Sequence, residues 1–228
     1  MHIPDGFFDV PTSIGAAALA AGAVGVSLKL TKGKMDSEVA PVAGLSAVFI
    51  FAAQMINFPV ALGTSGHLIG GALAAILIGP WAAILAMTVV LGVQALIFAD
   101  GGLTALGLNI LNMGVLAVLV GYLTFTVSMK FLPKNKTGIL VATGIAAFLS
   151  VPASAAGFVI EYAIGGTATF ELGDVMRAVV GVHLLIGLGE ALITLLTISA
   201  VLTARADLVT GARKFMPKSK LVILGSER

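Results

Sequence analysis

Residues 68–99 read LIGGALAAILIGPWAAILAMTVVLGVQALIFA, without a single charged side chain. A helix needs about 20 apolar residues to cross the hydrocarbon core of a bilayer. This run is too long for one crossing and short for two. Gly79-Pro80 divides it, because proline lacks an N–H and is tolerated at the start of a helix but not in its interior. The division predicts a short helix at 66–78 and a full one at 81–98. Working outward, charge-poor windows predict further helices at 10–28, 39–57, 103–129, 139–160 and 175–204, the last interrupted only by Arg177, His183 and Glu190. The pattern predicts an all-α membrane protein: one transmembrane domain, residues 1–228, built as a bundle of seven transmembrane helices with a short basic tail at 205–228.

Composition agrees. The 228 residues are 58% hydrophobic and 11% charged, with a mean hydropathy of +1.09. A soluble domain carries about 25% charged residues, so the main solvent of this chain is lipid. The net charge of +2 gives no footing for a nucleic-acid partner, and with no cysteine there are neither disulfides nor thiolate metal sites. No basic segment precedes the first apolar run, so a cleavable signal peptide is not expected.

The charges also orient the bundle. Lysine and arginine gather in cytoplasmic loops. Lys29, Lys32 and Lys34 follow the first predicted helix and Lys130, Lys134 and Lys136 the fifth; Arg205, Arg213, Lys214, Lys218, Lys220 and Arg228 follow the seventh. An external N-terminus places all twelve inside, with a cytoplasmic C-terminus and Arg177 as the exception. The opposite loops hold Asp5, Asp9, Asp100, Glu161, Glu171 and Asp174. The short third helix must pair with the fourth in crossing or not crossing, or the Lys130 loop falls outside.

Polar side chains at membrane depth are expensive and are functional candidates by default. Here they are His2, His67, Asn109, Asn112, His183 and Glu190. The chain opens Met1-His2-Ile3-Pro4-Asp5-Gly6. Methionine ahead of histidine is expected to stay, so the terminus offers a free amine, the His2 amide and the His2 imidazole. Those three nitrogens close a five-membered and then a six-membered chelate ring in one plane. Planar nitrogen ligation marks Ni(II) or Cu(II), and imidazole suits nickel, copper and zinc. His67, within Gly63-Thr64-Ser65-Gly66-His67 at the outer end of the short helix, is the natural fourth ligand. The same residues also fit a blander account: a hydrogen-bonded helix-end histidine and a His2 that merely follows the start codon.

His183 and Glu190 stand two turns apart on one face, as a relay or, by preference, as hydrogen-bonding groups, since a buried carboxylate must be paired or neutralised. Asn109 and Asn112 are expected to bond between helices. Asp100-Gly101-Gly102 reads as a tight external turn.

Taken together, Met1-His2-Ile3-Pro4-Asp5-Gly6-Phe7, Gly63-Thr64-Ser65-Gly66-His67-Leu68, 98–107 with Asn109-Ile110-Leu111-Asn112-Met113-Gly114, and His183-Leu184-Leu185-Ile186-Gly187 resemble the CbiM/NikM family. These are substrate-specificity components of energy-coupling-factor (ECF) transporters, ATP-driven importers of the ABC type for nickel and cobalt. The resemblance spans the chain. It implies seven helices in a prokaryotic cell membrane, with the N-terminus tucked into the bundle from outside. It places metal ligands on Met1, His2 and His67, with Ser65, Asn109 and His183 as candidate supporting residues. It also implies partners: a transmembrane coupling subunit, two cytosolic ATPases and a small accessory membrane subunit. Nickel or cobalt is then substrate, and no cofactor is expected. Cobalt members often begin Met-His-Ile-Met-Glu-Gly; Pro4-Asp5 departs from that and, with a planar site, favours nickel.

Two rivals belong to other classes. Gly63-Thr64-Ser65-Gly66 fits the G-x-S-G of rhomboid intramembrane proteases, with Ser65 as nucleophile and His183 as base, but leaves Met1-His2 unexplained. A free-standing channel or secondary transporter would want charges reaching the cytoplasmic half, and only Glu190 lies in a helix. No ATP-binding motif is present, so the chain is expected to be a non-catalytic subunit.

Overall fold

The computed structural model describes residues 2–33, 39–56, 58–59 and 65–216, with backbone alone at Phe58, Pro59 and Ser65. The described chain is almost wholly helical. Its elements are α1 (Val10–Thr31), α2 (Val39–Gln54), α3 (Gly71–Ile78), α4 (Pro80–Ile97), α5 (Leu106–Phe131), α6 (Lys136–Gly165) and α7 (Leu172–Ala204). Between α2 and α3, β1 (Phe58–Pro59) pairs antiparallel with β2 (Ser65–Gly66). Short 3-10 turns follow α7 at Ala206–Leu208 and Thr210–Phe215.

Five helices, α1, α4, α5, α6 and α7, are long and apolar enough to cross a membrane by length and composition. Large apolar side chains on their outer faces are exposed, among them Leu19, Leu96, Leu123, Ile160 and Leu188. In water such faces would drive association; in a bilayer they are the contact with solvent. This is a multi-pass membrane protein.

The helix α3 is different. Its eight residues rise about 12 Å, too little to cross alone, and all are buried. It packs against α4 and α5 in the interior. The predicted start at 66 is wrong by five residues: Gly70 has φ +81°, which a right-handed helix excludes, and α3 begins only at Gly71. His67 therefore sits on extended chain before the helix rather than on its end. Gly79, at φ +82°, separates α3 from α4, whose first residue is Pro80. At Gly71 and Gly121 an added β-carbon would press on Ala117 and Ala72, so small residues bring α3 and α5 into close contact.

Other boundaries also move. The helix α6 runs through Pro152 without breaking, reaching Gly165 rather than 160. Asn135 caps its start by accepting from Gly138 N–H at 2.9 Å. The helix α5 contains a π-helical stretch, Ile110–Leu116, unforeseen from the sequence. Asn112 lies within it; its side-chain Nδ2 donates to Glu161 of α6 at 2.6 Å and its backbone carbonyl accepts from Ser154 Oγ at 2.9 Å.

The two ends of the bundle differ in charge. Residues 2–9, the 98–105 turn and the 165–171 segment meet at one end. At the other, Thr210 Oγ1 donates to Leu77 O at 3.0 Å and Tyr122 Oη to Gly211 O at 3.1 Å, so the 3-10 turn at 210–215 closes over the C-terminal end of α3. Residues 217–228 of the basic tail, with Lys218, Lys220 and Arg228, lie outside the described residues, as does Lys34. Arg177, the exception to the charge rule, lies near the start of α7, where it pairs with Asp174.

Candidate metal centre

The N-terminal segment enters the bundle and is fixed there along its length. Asn109, at the head of α5, grips Ile3 from both sides: its Oδ1 accepts from Ile3 N–H at 2.9 Å and its Nδ2 donates to Ile3 O at 3.3 Å. Gly102 N–H donates to the same carbonyl at 2.8 Å. A β-carbon at Gly102 would overlap the backbone of Pro4 and Asp5, so only glycine admits the segment. Asp5 accepts from Thr104 N–H and Oγ1 at 2.7 and 2.6 Å, which holds its carboxyl below the usual range. Further on, Thr167 N–H donates to Phe7 O at 3.1 Å and Asp9 N–H to Gly165 O at 2.8 Å. Phe8 packs edge-on against Phe158 at 5.7 Å. Asp9 then caps α1, accepting from Thr12 N–H at 2.8 Å.

This path brings His2 to His67. Their rings stack, with centroids 4.5 Å apart and planes 26° from parallel. His2 is 5% exposed and His67 1%. Burial pushes the His2 imidazole down to about 3, and His67 well below its ordinary value for the same reason. Burial thus favours the neutral form of both rings, the state in which imidazole binds metals. His2 Nε2 lies 3.5 Å from Asp100 Oδ2, while its Nδ1 faces Gly101, where a side chain would crowd it. His67 Nδ1 lies 2.7 Å from Leu68 O. A carbonyl only accepts, so Nδ1 bears the proton and Nε2 the lone pair. Among the described residues, no group of three His, Cys, Asp or Glu side chains is placed to hold a metal ion.

Met1 lies outside the described residues, as do Gly63, Thr64 and the side chain of Ser65. His183 is fully buried on α7, with Nδ1 2.7 Å from Val179 O of its own helix. Asn109 does not bond between helices as its spacing predicts; it holds the N-terminal segment. Asp100, foreseen as a plain turn, reaches His2 because Ala99 and Gly101 adopt positive φ of 51° and 93° and fold the turn inward. Its only sequence signal is the Asp-Gly-Gly triplet, which does not say what the turn folds against.

Asn109→Ala is expected to leave Ile3 N–H buried without its partner, at a cost of about 1–3 kcal/mol. The N-terminal segment should then open, and protease cleavage within residues 2–9 should rise while the helical content by circular dichroism stays unchanged.

Residues 2–9 thus enter an apolar membrane bundle and bring two buried histidines together in its interior. The chain belongs to the CbiM family, the cobalt uptake substrate-specific transmembrane region, whose model matches residues 2–208. An Archaeoglobus fulgidus protein assigned as a fused nickel transport protein NikMN is 40% identical over 211 residues, covering 92% of this chain and 68% of that one. The cobalt transport protein CbiM of Sorangium cellulosum is 31% identical over 216 residues, covering 92% and 94%. A crystal structure of a truncated transition metal transporter superposes with a TM-score of 0.83 at 30% identity, covering 90% of this chain and 99% of the other. These relatives are transport proteins, which leaves the Ser65/His183 protease reading without support.

Proposed function

We propose that this chain is the substrate-binding membrane subunit of an ECF-type transporter that imports a divalent transition metal, nickel in preference to cobalt. The metal is held by four nitrogens in a plane: the Met1 amine, the His2 amide, His2 Nδ1 and His67 Nε2. The observation that carries this is the stacking of His2 on His67 at the buried end of a segment whose backbone is fixed by Asn109, Gly102 and Thr104. The hydrogen bond from His67 Nδ1 leaves Nε2 for the metal. The chelate ring requires Nδ1 of His2, consistent with Nε2 standing toward Asp100. Such outer partners orient a ligating imidazole and strengthen it.

Metal enters from outside, on the side of the N-terminus, and the C-terminus is cytoplasmic. All seven helices span or line the bundle, α3 lying in its interior. The chain has no ATP-binding motif, so two cytosolic ATPases, a coupling subunit and a small accessory membrane subunit supply the power stroke that opens the site inward. Nickel is favoured because a planar nitrogen field suits Ni(II) and because Pro4-Asp5 departs from the cobalt pattern.

The pH dependence tests the ligand set. Binding metal displaces protons from its ligands. Burial lowers both imidazoles from their ordinary value, His2 to about 3, so they compete for protons less than free imidazoles do. The proton competitors are the terminal amine, with a pKa of about 7.7–8.0, and the His2 amide, which gives up its proton only to metal. Affinity should therefore fall as pH drops. About one proton should be released per metal above pH 8 and about two near pH 6. Titrating nickel at several pH values with absorbance recorded alongside decides the matter. The bound ion should be yellow and diamagnetic; pale, paramagnetic nickel with flat affinity between pH 6 and 8 would show that the four-nitrogen plane does not form.

A further inference from the structure

Glu190 is fully buried midway along α7. Among the described residues no basic side chain pairs with it; its charge is met by backbone. Oε2 accepts from Ile69 N–H at 2.8 Å and Oε1 from Gly70 N–H at 2.7 Å. Each oxygen accepts from a backbone N–H, and such donors favour the carboxylate over the acid.

Ile69 N–H and Leu68 C=O are opposite ends of one peptide group. Leu68 O is the acceptor for His67 Nδ1 at 2.7 Å. Carboxylate, peptide and imidazole therefore stand in series. On the next peptide, Gln54 Nε2 donates to Ile69 O at 2.6 Å, so the chain from Leu68 to Gly70 is held from α2 as well as from α7. Hydrogen bonds to an ionised acceptor are stronger than neutral ones, and chains of hydrogen bonds polarise one another. A carboxylate drawing on Ile69 N–H makes Leu68 O a better acceptor. That oxygen in turn draws on Nδ1–H and makes Nε2 more basic. Metal-binding histidines commonly donate to a carboxylate or carbonyl; His67 donates to the Leu68 carbonyl, and Glu190 meets the N–H at the other end of that peptide.

We infer that Glu190 is a positioning residue for metal capture, acting through the 68–69 peptide to hold His67 with Nδ1 protonated and the lone pair on Nε2, the atom proposed to meet a divalent transition metal. This rests on His67 being a ligand. It gives α7, a helix that contributes no metal ligand of its own, a direct hold on the site.

The test is nickel titration of Glu190→Gln, purified with its native N-terminus, together with 15N spectroscopy of the His67 ring. Glutamine keeps the shape but loses the charge and offers one acceptor where two N–H groups point. Affinity should fall about 10–100-fold while helical content and cooperative melting persist. The ring should carry its proton on Nδ1 in the wild type and show the Nε2–H form in the variant. Affinity within twofold of wild type in a folded variant overturns the inference. If the variant does not fold, Glu190→Asp is read in its place: reduced affinity with loss of the Nδ1 proton, as the shorter carboxylate withdraws from Ile69 N–H, upholds the relay, and a ring and affinity unchanged from wild type overturn it. A wild type that binds no nickel at all would overturn the metal-site reading and this inference with it; binding indifferent to Glu190→Gln overturns the inference alone.

Discussion

Adding one residue ahead of Met1 is expected to abolish nickel binding, while an extension at the C-terminus leaves it intact. The proposed chelate uses the terminal amine. An added residue converts that amine into a planar amide, removes its basic lone pair and displaces the five-membered ring. The loss should be larger than removal of any single supporting group, because backbone and imidazole can no longer chelate together. The space around the segment sharpens the effect: Gly102 and Gly101 leave no room for a side chain where Asp5 and His2 pass. Equilibrium titration of tagged and untagged protein in detergent gives the answer. An N-terminally extended form that binds as tightly as the native one would rule out the terminal chelate.

His2→Ala and His67→Ala should each reduce nickel binding below detection, and His183→Ala should change it little. Each of the first two removes one of four nitrogens. Asp100, 3.5 Å from His2 Nε2, could supply an oxygen but not the chelating nitrogen that is lost. His183 Nδ1 is tied to Val179 of its own helix, which suits a packing role. A protease of the rhomboid type would give the reverse, with cleavage of a membrane substrate lost in Ser65→Ala and His183→Ala. Retained nickel binding in His67→Ala would show that the stacked pair at the buried end is structural.

The sequence alone was informative where the bilayer imposes a rule. Charge-free windows locate α1, α2 and α4 to within a few residues, because a helix must satisfy its own backbone in lipid and needs a minimum apolar length. Gly79-Pro80 marked the break between α3 and α4 because proline's missing N–H acts locally. His2 and His67 stood out as candidates because polar groups at membrane depth are few. Boundaries failed where long-range contacts decide them. At the start of α3, Gly70 takes φ +81° and its N–H donates to Glu190, 120 residues away. The helix α6 runs five residues past its predicted end at 160, to Gly165, where Gly165 O accepts from Asp9 N–H.

Sequence by itself thus determined that the protein is a bundle of apolar helices with a charge-sorted pair of ends, since these follow from local composition and the solvent. It also supplied the family motifs. Tertiary structure decided which polar groups meet. Asp5, Asp9 and Asp100 are alike in the sequence as acidic residues of one end. Folded, the first holds Thr104, the second caps α1 and the third reaches His2. Asn109 and Asn112 share a spacing but serve different partners, the N-terminal segment and Glu161. Such pairings depend on chain segments a hundred residues apart arriving at one place, and periodicity carries no information about distance through space.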